Sequence, residues 1–94
     1  MDKYRITDES MEYNGHKLWR IECLRTHKKG GWIQNETNLS QVGEAWIADN
    51  AKVYGEASIS DNAKVSGNAE VFGAAKITAD AQVYDYAMVS DYAK

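Results

Sequence analysis

The sequence predicts an all-β fold: a short parallel β-helix over residues 43–94, preceded by a β-hairpin cap and linking loop over residues 1–42, the two forming one domain. Three observations predict it. From Ala45 to Tyr92 the chain repeats every six residues without an insertion. Each repeat sets an aliphatic residue two positions after a small one, and in a strand that alternation puts both on one face. In the first half, Asn14-Gly15, a pair suited to the positive φ of a two-residue hairpin turn, separates two strand-like runs.

The repeat is explicit when aligned on alanine. Position one is Ala in all eight hexads, from Ala45 to Ala87, and position three is always Val or Ile: Ile47, Val53, Ile59, Val65, Val71, Ile77, Val83 and Val89. That face is the expected core. Position five is Gly, Asp or Ala and position six mostly Asn, Glu or Asp, so each short strand ends at a corner of turn-forming residues. A helix would also suit the alanines, and six residues approach two helical turns. However, a β-branched residue at the centre of every hexad and a Gly, Asp or Asn at its end weaken a helix every second turn. A lone hexad buries almost nothing, so the coils must stack, strand on strand, about 4.8 Å apart.

A small residue two before an aliphatic one, every six residues, resembles the hexapeptide-repeat left-handed β-helix. The resemblance implies three hexads per triangular coil, hence about three coils here, and stacked columns such as Ile47, Val65, Val83 and Val53, Val71, Val89. The left-handed winding is implied by the resemblance alone, since most parallel β crossovers are right-handed.

Strand-like alternation on either side of Asn14-Gly15 sets Leu18, Arg20, Glu22 and Leu24 opposite Trp19, Ile21 and Cys23, with Cys23 packed in an apolar face rather than acting as a nucleophile. An open β-helix end exposes unpaired backbone and apolar core, and the hairpin is the natural lid. Gly30-Gly31 has neither the spacing nor the lysine and hydroxyl of a phosphate loop and reads as a flexible corner. The stretch from Gly30 to Ile47 is similar to the segment preceding such repeats in a family of bacterial and phage proteins. That similarity extends the resemblance over most of the chain and implies an architecture and a phage or mobile-element setting rather than a mechanism. Members of that family carry longer arrays, which argues against a long-fibre role for this short one.

Charge is unevenly placed. Residues 1–42 hold six acids and seven bases, a net of +1, whereas residues 43–94 hold eight acids and four lysines, a net of −4, giving −3 overall. Acidic repeats argue against direct nucleic-acid binding, although Arg25 to Lys29 could contact an acidic patch. Cys23 is the only cysteine, which excludes an internal disulfide framework and fits a reducing cytoplasm, that of the host if the chain is phage-encoded. The start of the chain has no basic-then-apolar leader, and no run approaches the ~20 apolar residues of a membrane helix.

Catalytic chemistry is hard to assemble. Many hexapeptide β-helix proteins are trimeric acyltransferases with a histidine base between coils, and their carbonic anhydrase relatives hold zinc there. This chain's two histidines, His16 and His27, flank the hairpin and read as solvated, with no metal or other cofactor expected. Asp and Glu at the corners are explained by turn chemistry. The chain is therefore expected not to be an enzyme, an acyltransferase-like activity being the least favoured reading.

The repeat breaks its own rule near Tyr86. Position six reads Asn50, Glu56, Asn62, Asn68, Ala74 and Asp80, then Tyr86 and Tyr92, while position two is mainly polar until Met88 and Tyr84 stands at position four. Tyrosine and methionine are enriched in protein interfaces. Tyr84, Asp85, Tyr86, Met88, Asp91 and Tyr92 are the candidate partner-binding residues, for a foreign protein or for a homodimer or trimer through the last coil; a local cap is the alternative. Tyr54 and Phe72, eighteen residues apart and hence stacked near Trp46, form a second, outward candidate. The expected function is a non-catalytic protein-binding module, most specifically a phage or mobile-element inhibitor whose acidic β-helix mimics DNA and blocks a nucleic-acid-binding host defence protein. Lys52, Lys64 and Lys76 count against mimicry unless they share a face turned away. A structural or assembly module of a phage or bacterial particle is the alternative.

Overall fold

The computed structural model describes residues 3–13, 15–41 and 43–90. Its strands are β1 (Tyr4–Tyr13), β2 (His16–Cys23), β3 (Lys29–Ile33), β4 (Trp46–Ile47), β5 (Lys52–Val53), β6 (Ser58–Ile59), β7 (Lys64–Val65), β8 (Glu70–Phe72), β9 (Lys76–Ile77), β10 (Gln82–Val83) and β11 (Met88–Ser90), with a 3-10 turn at Glu36–Asn38. The result is a parallel β-solenoid of about three turns with an antiparallel hairpin at its amino-terminal side.

Three walls enclose the core. One is a six-stranded sheet ordered β1-β2-β3-β5-β8-β11, the second is β10-β7-β4, and the third is β6-β9 joined by a bridge from Leu39 to Ile59. The registers reproduce the expected columns: Ile47 on Val65 on Val83, and Val53 on Val71 on Val89, with Ile59 on Ile77 as the third. The position-two N–H of each coil donates to the position-one carbonyl of the next, as in Lys52 to Ala69 (3.0 Å), Ser58 to Ala75 (3.0 Å) and Lys64 to Ala81 (3.0 Å).

The corners explain the composition of position five. Asp49, Gly55, Asp61, Gly67, Gly73, Ala79 and Asp85 all have φ between 57° and 68°, the left-handed region that Gly tolerates and Asp or Asn adopts most readily among the others. The N–H of the following alanine closes each turn onto position four, as in Ala63 to Ser60 (3.2 Å). The aspartates do more than turn the chain: Asp49 accepts from the Gly67 N–H at 3.0 Å and Asp61 from the Ala79 N–H at 3.1 Å, each linking one coil to the next.

The solenoid starts before the repeat does. β3 pairs in parallel with β5, so Ile33 tops the column of Val53, and Leu39 tops that of Ile59. Gly30-Gly31 is thus not a flexible corner but buried strand. Gly31 occupies the position-one site, where a Cβ would lie 2.5 Å from both the Ala51 carbonyl oxygen and Ile47 Cγ2, and a Cβ on Gly30 would meet the Ile47 carbonyl at 2.5 Å. Asn38 serves this irregular coil as a buried hub: its Oδ1 accepts from the N–H groups of Gln34 (2.8 Å) and Asn35 (2.9 Å), and its Nδ2 donates to the Ala57 carbonyl at 2.7 Å.

In the hairpin the expected alternation fails. The β1–β2 register slips between Ile6 and Ser10, and the β2–β3 register slips between Arg20 and Glu22. Leu18 and Ile21, three apart, are therefore both fully buried, Trp19 is half-buried, and Cys23 is half-buried rather than enclosed in an apolar face. Tyr4 and Ile21 join the solenoid core. The Tyr4 hydroxyl donates to the Leu39 carbonyl at 2.6 Å, and the Lys3 ammonium donates to the carbonyls of Ala45 (2.7 Å) and Gly43 (3.2 Å). The hairpin both extends a wall and covers the first coil.

Candidate partner surface

The solenoid turns positions two, four and six outward, and one corner collects three apolar side chains there. At the passage from β10 to β11, Tyr84 is 58% exposed, Tyr86 79% and Met88 66%. The backbone that carries them is ordinary: Asp85 has φ 59°, the Ala87 N–H closes the turn on the Tyr84 carbonyl at 3.2 Å, and the Asn68 N–H donates to the Asp85 carbonyl at 2.7 Å. The same corner occurs one and two coils earlier, where its outward residues are Ser66, Asn68 and Glu70, and Ala48, Asn50 and Lys52. An identical corner is therefore built with small, polar or charged side chains, and neither tyrosine is needed to make it. Of the sequence-predicted site residues, Asp91 and Tyr92 lie outside the described residues, and the structure brings Tyr84, Asp85, Tyr86 and Met88 together.

The second candidate is a different kind of place. Tyr54 and Phe72 do stack, with centroids 5.3 Å apart and planes 7° from parallel. Tyr54 does not face outward freely, however, because it is only 4% exposed. The hairpin tip folds onto it: Tyr13 meets Tyr54 edge-on at 6.0 Å and His16 lies tilted over it at 4.8 Å. Tyr13 donates a short hydrogen bond to Glu70, Tyr54 reaches the same carboxylate at 3.3 Å, and Lys52 sits 4.9 Å over the Tyr13 ring. The hydrogen bond to Glu70, with burial, pushes the Tyr13 phenol up to about 12. What stays open is a shallow hollow lined by His16, Glu56 and Phe72 among others. Trp46 stands on another wall, edge-on to Tyr4 at 6.4 Å, because hexads alternate among three walls. His16, expected to be solvated, is half-buried against Tyr54, whereas His27 is exposed, 3.7 Å from Glu22.

Among the described residues the charges form no single-sign face. Lys52 is on the six-stranded wall, Lys64 on the three-stranded one and Lys76 on the two-stranded one, so each wall carries a cation. Several acids are engaged: Asp49 and Asp61 with backbone, Glu70 with two phenols, Glu22 with Arg5 at 2.7 Å, and Glu9 with Lys29. Among the described residues no three metal-ligating side chains gather, and no helix is long and apolar enough to cross a membrane.

Sequence reasoning missed a groove beside the first coil, lined by Lys3, Cys23, Leu24, Arg25, Thr26, Lys28 and the stretch Gly43–Trp46, with a volume of about 680 Å³. Its two sides lie some twenty residues apart in sequence, and only the docking of the hairpin joins them. The run Arg25 to Lys29 was the one signal pointing to it. Neither a protein-family model nor a curated protein matches the chain.

Proposed function

We propose that the chain is a non-catalytic protein-binding module that docks its partner through the corner bearing Tyr84, Tyr86 and Met88. The observation that carries this reading is the contrast at one repeated corner: the same backbone holds polar or small side chains twice and then large apolar ones. Tyrosine and methionine exposed without a folding role match the composition of interface centres. Both histidines, His16 and His27, lie outside the six-residue repeats, which supports the non-catalytic part. The coil supports the resemblance to hexapeptide-repeat β-helices, and left-handed winding belongs to that inference.

An inhibitor of a host nucleic-acid-binding protein, encoded by a phage or mobile element, is one partner class for this module, and an assembly contact within a particle is another. The corner favours recognition by aromatic contact over charge mimicry, because a lysine on every wall interrupts any DNA-like array of negative charge.

The test replaces the three residues by those of the preceding coil, Tyr84→Ser, Tyr86→Asn and Met88→Glu. If the corner is a contact surface, the variant keeps its thermal stability within about 0.5 kcal/mol, the usual range for surface changes away from structural features. It also loses the partner that co-purifies with the native chain, or the self-association seen by light scattering. A variant destabilised by more than about 1 kcal/mol would identify the rings as a structural cap and overturn the reading.

A further inference from the structure

We propose that the groove between the β2–β3 turn and the segment Gly43–Trp46 is a binding site for a small anion with an apolar body, such as an aromatic carboxylate. This site is separate from the proposed partner corner. Its volume, about 680 Å³, falls in the range of small-molecule sites.

The turn that presents the cations is well defined. The Cys23 N–H donates to the Lys28 carbonyl at 2.8 Å, the His27 N–H donates to the Cys23 carbonyl at 2.8 Å, and the Leu24 N–H donates to the Lys3 carbonyl at 2.9 Å. The opposite side is fixed by the Lys3 ammonium on Ala45 and Gly43, and by Trp46 edge-on to Tyr4 above the bare Cα of Gly30.

Charge selects the ligand. Lys3, Arg25 and Lys28 line the groove against one acid, Glu44, a net of +2. Arg25 and Lys28 have no carboxylate partner among the described residues, and the nearby acids are engaged elsewhere, Glu22 with Arg5 and Glu9 with Lys29. Unpaired cations beside Leu24, Ala45 and the Trp46 ring can hold a carboxylate at the turn while its apolar body lies on the indole. The Cys23 thiol is lowered from its ordinary value, chiefly by hydrogen bonds from Thr26, and an anion bound beside it would push it back up.

Benzoate is the probe, with benzyl alcohol and inorganic phosphate as its uncharged and body-less counterparts. Amide and indole NMR titration of the whole chain should give saturable shifts confined to Leu24–Lys28 and Glu44–Trp46 with benzoate at millimolar concentration, and markedly weaker ones with the other two. The double variant Arg25→Gln, Lys28→Gln, altered only on an exposed turn, should stay folded and bind benzoate about tenfold more weakly. Because Cys23 is the only cysteine, its alkylation reports the groove alone, and benzoate should slow it in the native chain but not in the variant. The proposal is overturned by an absence of saturable shifts, by equal binding of benzyl alcohol or of phosphate, or by a folded double variant that binds as the native chain does.

Discussion

The repeat half and the hairpin half of this molecule hold their registers by different means. In the coil, every described pair of stacked strands runs without a slip, because each hexad reaches its neighbour through the same left-handed corner and the same N–H to carbonyl bonds one coil on. In the hairpin, β1 slips on β2 and β2 slips on β3, and burial departs from strict alternation, with Tyr4 and Ile21 packed into the solenoid core. A register enforced by local repetition is insensitive to what lies on the outer face. A register enforced by docking depends on a few irreplaceable contacts.

Gly31 is where the two halves meet, and it should give the largest effect. Gly31→Ala restores the alanine of the repeat, so repeat logic alone predicts a neutral or favourable change. The structure predicts a loss of about 3 kcal/mol in urea unfolding, because the new methyl meets backbone at Ala51 and the side chain of Ile47 at 2.5 Å. A neutral result would show that the first coil opens easily and that docking holds the register there less tightly than repetition does in the later coils.

Ala79 tests the corners in the opposite direction. It is an alanine in the left-handed region, at φ 57°, a conformation that costs a non-Gly residue roughly 1–2 kcal/mol. Ala79→Gly removes that cost but adds the backbone entropy of glycine, so a net gain of about 1 kcal/mol is expected by thermal unfolding. A loss instead would mean that the methyl group stabilises the coil in a way the corner geometry does not account for.

A further effect is confined to alkaline pH and is read by titration. The Tyr13 phenol is pushed up to about 12 by its hydrogen bond to Glu70, above the ordinary value near 10 of an unfolded tyrosine. Its contribution to stability is whole below pH ~10 and lost as the pH rises toward about 12. Glu70→Gln should bring the phenol back toward its ordinary value in an ultraviolet titration and flatten that alkaline loss. An unchanged titration would show that the hairpin tip is not latched to the coil through Glu70.

Much of the coil was legible in the sequence, and little of the candidate groove was. Ala at position one, Val or Ile at position three and Gly or Asp at position five each reflect a local demand: a close-packed inner corner, a core column and a positive φ. Repetition sums those demands into one answer. The tyrosines and methionine of the outward corner were legible for the same reason, since a regular pattern makes its exceptions visible. By contrast, Gly30-Gly31 looked like a flexible corner because glycine's value there is the absence of a Cβ against other strands, which no local pattern displays. Tyr54 looked outward because the hairpin tip that buries it is some forty residues earlier, and Asn38 gave no sign that its amide would bond Gln34, Asn35 and Ala57.

The sequence by itself therefore determined the period, the core columns and the corners, because these follow from interactions within one hexad and its identical neighbours. Only the tertiary structure decided that the coil begins at β3, which face of the hairpin is buried, and that Lys3, Arg25, Lys28 and Trp46 share one groove. Those outcomes depend on steric fit and backbone pairing between segments remote in the chain.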